Sequence, residues 1–162
     1  MTIIRPYQKS DWQAVFKMIE LTTKYHMQIQ QPMQMHQYSS KLIRNFLLSI
    51  SAKHRNNSAI LLVAELDTKV IGFVYGKLKK LNKLEKKCLY KTGIIDELFV
   101  ENKYRNQGIG SMLIKEIEKN FVKQKCKLIC LSQVHSNNLS AKQLYEKLGY
   151  IPRHTEFAKS II

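Results

Sequence analysis

Two neighbouring carboxylates, Asp96 and Glu97, stand in the run Thr92-Gly-Ile-Ile-Asp-Glu-Leu-Phe-Val100, which is rich in β-branched and aromatic residues. Shortly after it, residues 105 to 110 read Arg-Asn-Gln-Gly-Ile-Gly. An amphipathic stretch follows, with Ile109, Met112, Leu113, Ile117 and Phe121 on one helical face. A carboxylate on a strand can take a proton. A glycine turn between strand and helix can do something else. Without a Cβ in the way, its backbone can approach a ligand closely. The first N–H groups of the helix lack internal partners and carry partial positive charge, which suits phosphate oxygens.

The familiar phosphate motifs do not fit. A P-loop needs Gly-Lys-Ser/Thr, whereas Gly110 is followed by Ser111 and Met112. A dinucleotide fingerprint needs a third small residue where Leu113 stands. A second constellation is more telling. Residues 137 to 150 read Asn-Asn-Leu-Ser-Ala-Lys-Gln-Leu-Tyr-Glu-Lys-Leu-Gly-Tyr. Taken alone, Asn138 suits a helix N-cap. Ala141, Leu144, Tyr145 and Leu148 recur at core-facing spacing, so the Tyr145 ring could serve as core, as the mouth of a cleft, or both.

Together these motifs resemble the GNAT superfamily of acyl-CoA-dependent N-acetyltransferases. Arg105, Gly108 and Gly110 carry the likeness in the first motif. Asn138, Ala141, Leu144, Tyr145, Glu146, Lys147, Gly149 and Tyr150 carry it in the second, and Ile4-Arg5-Pro6 followed by Asp11 looks like the family's opening strand and helix. The resemblance implies an α/β fold in one domain over 1–162. Its sheet would be mixed, mostly antiparallel and twisted, flanked by helices, with two central strands splayed apart. It also implies acetyl-CoA as acyl donor and coenzyme A as product. Arg105, Asn106, Gln107, Gly108, Ile109, Gly110 and Ser111 would cradle the pyrophosphate. The arm of the coenzyme would lie as an extra strand along Leu98, Phe99 and Val100. Asn138 would sit near that arm, and Tyr145 near the sulfur as the acid for the departing thiolate.

Glu97 is the chosen base for the amine, with Asp96, His135 and a water chain as alternatives. On a regular strand the two carboxylates would point to opposite faces, so only one could serve. Cys130 sits in an apolar strand without an activating His–Asn set, which argues against an acyl-enzyme. The resemblance implies a primary amine of a small molecule or a protein as the acceptor. The region that would grip it, His26 to Ser39, holds five glutamines and Met27, Met33 and Met35, an adaptable surface. The competing reading is a non-catalytic acyl-CoA sensor or interaction protein.

The positioning elements follow from periodicity. Thr2–Tyr7 is expected as a strand. A helix from Asp11 should turn Trp12, Val15, Phe16, Ile19 and Leu21 inward, with a loop over 26–39. A second helix should bury Leu42, Ile43, Phe46, Leu47 and Ile50. Strands at 59–66 and 69–79 should form a hairpin about Asp67-Thr68, before a lysine-rich loop over 80–88. Strand, glycine turn and helix should occupy 90–123. A strand at 127–134 and a helix at 138–148, stopped by Gly149, should lead to a last extended segment.

Composition bounds the rest. Among 162 residues the net charge is +15, with lysines at 77, 79, 80, 83, 86, 87 and 91. Such a field attracts an anionic coenzyme and could attract RNA, but no nucleic-acid-binding motif accompanies it. Cys88, Cys126 and Cys130 make neither an even framework nor a Cys-x-x-Cys pair, which suits a reducing compartment. With no leader-like segment or membrane-length apolar run, the expected location is cytoplasmic. The five histidines lack metal-ligand spacing, so no metal is expected. A monomer or a homodimer fits equally.

Overall fold

The computed structural model describes residues 1–29, 39–79, 91–132, 134 and 137–153. In chain order come β1 (Ile3–Pro6), a 3-10 turn (Lys9–Asp11), α1 (Trp12–Ile29), α2 (Ser40–Arg55), β2 (Ala59–Leu66) and β3 (Lys69–Leu78). Then follow β4 (Lys91–Val100), a second 3-10 turn (Asn102–Tyr104), α3 (Ile109–Lys123), β5 (Cys126–Leu131) and α4 (Leu139–Lys147). The strands lie in one sheet in the order β1-β2-β3-β4-β5. All pairs are antiparallel except β4 with β5, which is parallel.

Both faces of the central strands are covered, so β2 and β3 read as continuous apolar runs rather than alternating ones. Leu61, Val63, Phe73, Tyr75 and Phe99 pack against Val15, Met18, Leu47 and Ile50 of α1 and α2. Ile60, Leu62, Ile71, Val74 and Ile95 pack against Ile109, Leu113, Ile114, Ile117 and Phe121 of α3. The β2–β3 hairpin turns at Asp67 and Thr68, both with positive φ (48° and 65°), the twist a two-residue hairpin needs.

Several expectations shift. Helix α1 runs on to Ile29, so residues 26–29, expected in a loop, are helical. Leu21, Leu42 and Met112 are 44%, 51% and 39% exposed. The sheet accepts a narrow stripe from each helix; Ile43 fills it as expected, and Met18 and Ile114 join it from outside the expected sets. Strand β5 is shorter than 127–134 because the chain leaves β4 after Ser132. The lysines from 80 to 87, Cys88, residues 30–38, His135 and the tail from 154 lie outside the described residues.

Candidate active site

The site begins where β4 and β5 part. Their register runs from Lys91↔Cys126 to Ile95↔Leu131, and one further bond joins Ser132 N–H to the Ile95 carbonyl at 3.0 Å. Beyond that bond β5 has ended, while β4 continues to Val100. On its other side β4 stays paired with β3, and Glu101 N–H still donates to the Ile71 carbonyl at 2.9 Å. Because alternate residues of a strand bond to alternate neighbours, Glu97 and Phe99 direct their backbone groups to β3. Leu98 and Val100 direct theirs to the open edge. One of those groups, the Val100 carbonyl, accepts Nε of Arg105 at 3.0 Å.

At the fork β4 carries one extra residue. Tyr75 pairs with Glu97 and Gly76 with Ile95, so Asp96 is bulged out with no partner on β3. This corrects the expectation of opposite faces. Glu97 lies across from Tyr75, on the face toward α1 and α2. Lys77 shares that face two residues along β3, and its Nζ pairs with Oδ2 of Asp96 at 2.5 Å. Ser132 Oγ donates to the other Asp96 oxygen at 2.9 Å. The bulge thus brings both carboxylates to one side and puts Ile95 with Leu98 on the α3 face.

Glu97 has no cation or hydrogen-bond donor against it among the described residues. Burial, reinforced by the charge of Asp96, pushes its carboxyl up to about 7. The Tyr145 hydroxyl is pushed up to about 12, first by burial and then by the charge of Glu97, so the two side chains share one electrostatic environment.

Tyr145 is held by the end of its helix. Gly149 has φ of 87°, and it folds the chain back so that Tyr150 N–H reaches the Tyr145 carbonyl (3.0 Å) and Gly149 N–H the Glu146 carbonyl (2.9 Å). This is a Schellman cap, with its usual apolar contact supplied by the Tyr145 and Tyr150 rings, whose centroids are 6.1 Å apart. Tyr150 in turn donates its hydroxyl to Glu118 Oε1 at 2.7 Å, tying α4 to α3. At the other end Asn138 Oδ1 accepts from Ala141 N–H at 3.2 Å, so Asn138 is the N-cap of α4.

The glycine turn meets α3 as the sequence suggests. Gly108 is the N-cap with φ of 79°, and no side chain caps the helix. The first helical bond is Met112 N–H to the Gly108 carbonyl at 3.0 Å, which leaves the N–H groups of Ile109, Gly110 and Ser111 without intrahelical acceptors. No acidic residue occupies that first turn. The Ile109 side chain is core, so only its backbone is available there. A Cβ on Gly110 would come within 3.2 Å of Leu144 Cδ2, so this glycine also lets α4 pack on α3. Gln107 and Arg105 are exposed and brace the turn through the Lys103 and Val100 carbonyls.

Lys77, Tyr75, Ser132 and Glu118 were not singled out as site residues by the sequence. No short motif joins them, because each is brought in by strand register or helix packing. A surface depression of about 480 Å³ lies elsewhere, lined by Arg5, Asp11, Lys69 and Glu101. Arg5 is paired there with Asp11 and Lys69 with Glu101, and the depression has none of the features of the fork.

The same architecture is found in solved structures. A tetramutant of a Bacillus halodurans protein superimposes with a TM-score of 0.82 at 20% identity, covering 98% of this chain and 99% of that one. A predicted acetyltransferase of Clostridium acetobutylicum, solved with acetyl-CoA, gives 0.74 at 15% identity, covering 99% and 97%. These likenesses define the fold as that of the acetyltransferases. The chain matches the Acetyltransferase (GNAT) family over residues 18–150 and belongs to it. N-alpha-acetyltransferase 30 of Xenopus laevis is 37% identical over 65 residues, which is 40% of this chain but only 23% of that protein. That family is one of acetyltransferases. Among the described residues no helix is long and apolar enough to cross a membrane.

Proposed function

We propose that the protein transfers the acetyl group of acetyl-CoA directly to a primary amine of a small molecule or a protein. The observation that carries this reading is the fork itself. An open backbone edge at Leu98 and Val100 ends beside an uncapped helix N-terminus, and a carboxylate without a counter-charge among the described residues shares the fork with a half-buried phenol.

The residues fit the coenzyme. The N–H groups of Ile109, Gly110 and Ser111 would hold its pyrophosphate, with Arg105, Asn106, Gln107 and Gly108 shaping the turn. Leu98 and Val100 would pair with its amide arm, while Phe99 anchors the strand from the opposite face. Asn138 would border the arm from the start of α4. When bound, the coenzyme supplies a thioester, whose thiolate is a fair leaving group.

An amine reaches the fork mostly as ammonium. Glu97, with its carboxyl near neutrality, can take that proton and leave the nitrogen lone pair free to attack. Tyr145 stays protonated at neutral pH, so its hydroxyl can donate to the sulfur as the carbon–sulfur bond breaks. Cys130 and His135 have no part in this scheme. The likeness to N-alpha-acetyltransferase 30 favours an α-amine as one acceptor class, and the cytoplasm is the compartment that suits the free cysteines.

Release of free thiol from acetyl-CoA against a panel of amines and peptide N-termini tests the reaction. Acetyl-CoA binding without thiol release would support the sensor reading instead. Ser111→Glu tests the cradle. An acid at the third helical position favours the helix dipole but repels phosphate, so calorimetry should show at least about tenfold weaker acetyl-CoA binding with an undiminished melting temperature. Unchanged affinity would remove the cradle.

A further inference from the structure

The fork holds a second, compensated carboxylate directly beside Glu97. Asp96 is the bulged residue, and its side chain reaches two strands at once. Oδ2 pairs with Lys77 Nζ on β3 at 2.5 Å, and Oδ1 accepts from Ser132 Oγ just past β5 at 2.9 Å. Among the described residues, the Ser132 N–H makes the last backbone bond to β4, to the Ile95 carbonyl. Ser132 therefore ties the fork through its backbone and its side chain together. A solvated strand carboxylate would need neither partner.

We propose that Lys77, Asp96 and Ser132 form a three-strand clasp at the fork that positions Glu97 and fixes the charge beside it. The clasp rests on the reading of Glu97 as the base, and its members are positioning residues that touch neither amine nor thioester. The bulge is what makes it work. A regular strand would turn Asp96 away from Glu97, whereas here both lie on the α1/α2 face. Lys77 is 42% exposed, so the pair is open to solvent at one end and held by protein at the other.

Among the described residues, a small set of groups surrounds Glu97. Asp96 lies beside it on β4, Tyr75 opposes it on β3 with Lys77 two residues along the same face, and Tyr145 of α4 feels its charge. The neutral Ser132 follows β5, and Phe46 of α2 stacks edge-on to Tyr75. Asp96 opposes ionisation of Glu97, and Lys77 offsets Asp96. Removing one or the other should move Glu97 in opposite directions. A merely structural role would move both variants alike, or neither.

The experiment is a carbon-13 carboxyl NMR titration of Glu97 in the full chain, which needs no acceptor. Asp96→Asn should lower the Glu97 midpoint by about one pH unit, and Lys77→Met should raise it by a similar amount. Lys77→Arg should restore the wild-type midpoint. Ser132→Ala loosens Asp96 without changing a charge, so the midpoint should fall by less than in Asp96→Asn. Circular dichroism melts confirm that each variant is folded. Opposite shifts establish the clasp; shifts in one direction, or none, overturn it. A chain that binds acetyl-CoA but acetylates no amine would end the proposed function and still leave these titrations readable.

Discussion

Asp11 and Glu97 are both carboxylates withdrawn from water, and they meet opposite fates. Asp11 is 4% exposed, yet Arg5 grips both its oxygens at 2.8 and 2.9 Å, and Gln8 N–H adds a third bond at 2.7 Å. Burial alone would raise its carboxyl, but the Arg5 fork and Gln8 outweigh it and hold it below the ordinary range. Arg5 also pairs with Glu65, so β1, the first 3-10 turn and β2 are stapled together. Glu97 receives no such partner among the described residues, and the charge of Asp96 pushes its carboxyl further up. Where the fold needs rigidity, the charge is matched. At the fork, where the proposed reaction calls for a proton acceptor, the charge is left unmatched and its cost is borne by the rest of the core.

The largest effect should come from the unmatched member. The acetylation rate should rise as pH passes about 7, when Glu97 ionises. Glu97→Gln keeps the shape and removes the base, so steady-state turnover should fall by about 10²–10⁴-fold. The rise through pH 7 should go with it. A variant with wild-type rate and profile would hand the role to Asp96, His135 or water.

The matched member should show the reverse pattern. Arg5→Met leaves Asp11 buried and unpaired, at a cost of about 3 kcal/mol in urea unfolding. Activity per folded molecule should hold. Asp11 contributes stability above the ordinary carboxylate range, and that contribution is lost as pH falls through its depressed folded value. The variant should therefore lose part of the acid sensitivity of the parent. A loss below about 1 kcal/mol would mean that the staple is ornamental and the comparison too simple.

These two predictions also mark what the sequence could convey. The strands, the Asp67-Thr68 hairpin, the glycine turn and the Gly149 stop were legible because each rests on local chemistry. The Arg5–Glu65 pair spans 60 positions and leaves no local trace. The bulge at Asp96 was equally hidden. It is a matter of register against β3, and one extra residue reversed the facing of Ile95 relative to Glu97. Periodicity could name the two carboxylates but not put them on one side. Tyr145 was legible through its motif, while the Tyr150–Glu118 tether that holds it depends on how α4 lies against α3.

Tyr145 offers a smaller and sharper probe. Tyr145→Phe keeps the ring that packs on Tyr150 and deletes only the hydroxyl. Turnover should fall on the order of 10²-fold, the low end for a general acid because thiolate leaves readily. Calorimetric affinity for acetyl-CoA and the melting temperature should stay near wild type. Full activity with a lowered melting temperature would make Tyr145 a core residue.

The smallest effect tests the comparison most directly, because it predicts a gain. Glu97 has an ordinary carboxylate value of 4.5 when unfolded, and its folded value is raised to about 7. Between those limits the folded protein keeps a proton that the unfolded chain has released. Stability therefore declines as pH rises from 4.5 to about 7, and it remains lower above that range. Glu97→Gln abolishes this penalty. At pH 8 the variant should be more stable than the parent by about 1–3 kcal/mol, the scale set by the shift. At pH 4, where both chains are neutral at this position, the two should melt together. Asp11→Asn should do the opposite, costing stability at pH 8 by stranding the Arg5 fork. Paired melting curves at the two pH values decide the matter. If Glu97→Gln melts below its parent at pH 8, the carboxylate has a stabilising partner after all, and the contrast with Asp11 fails.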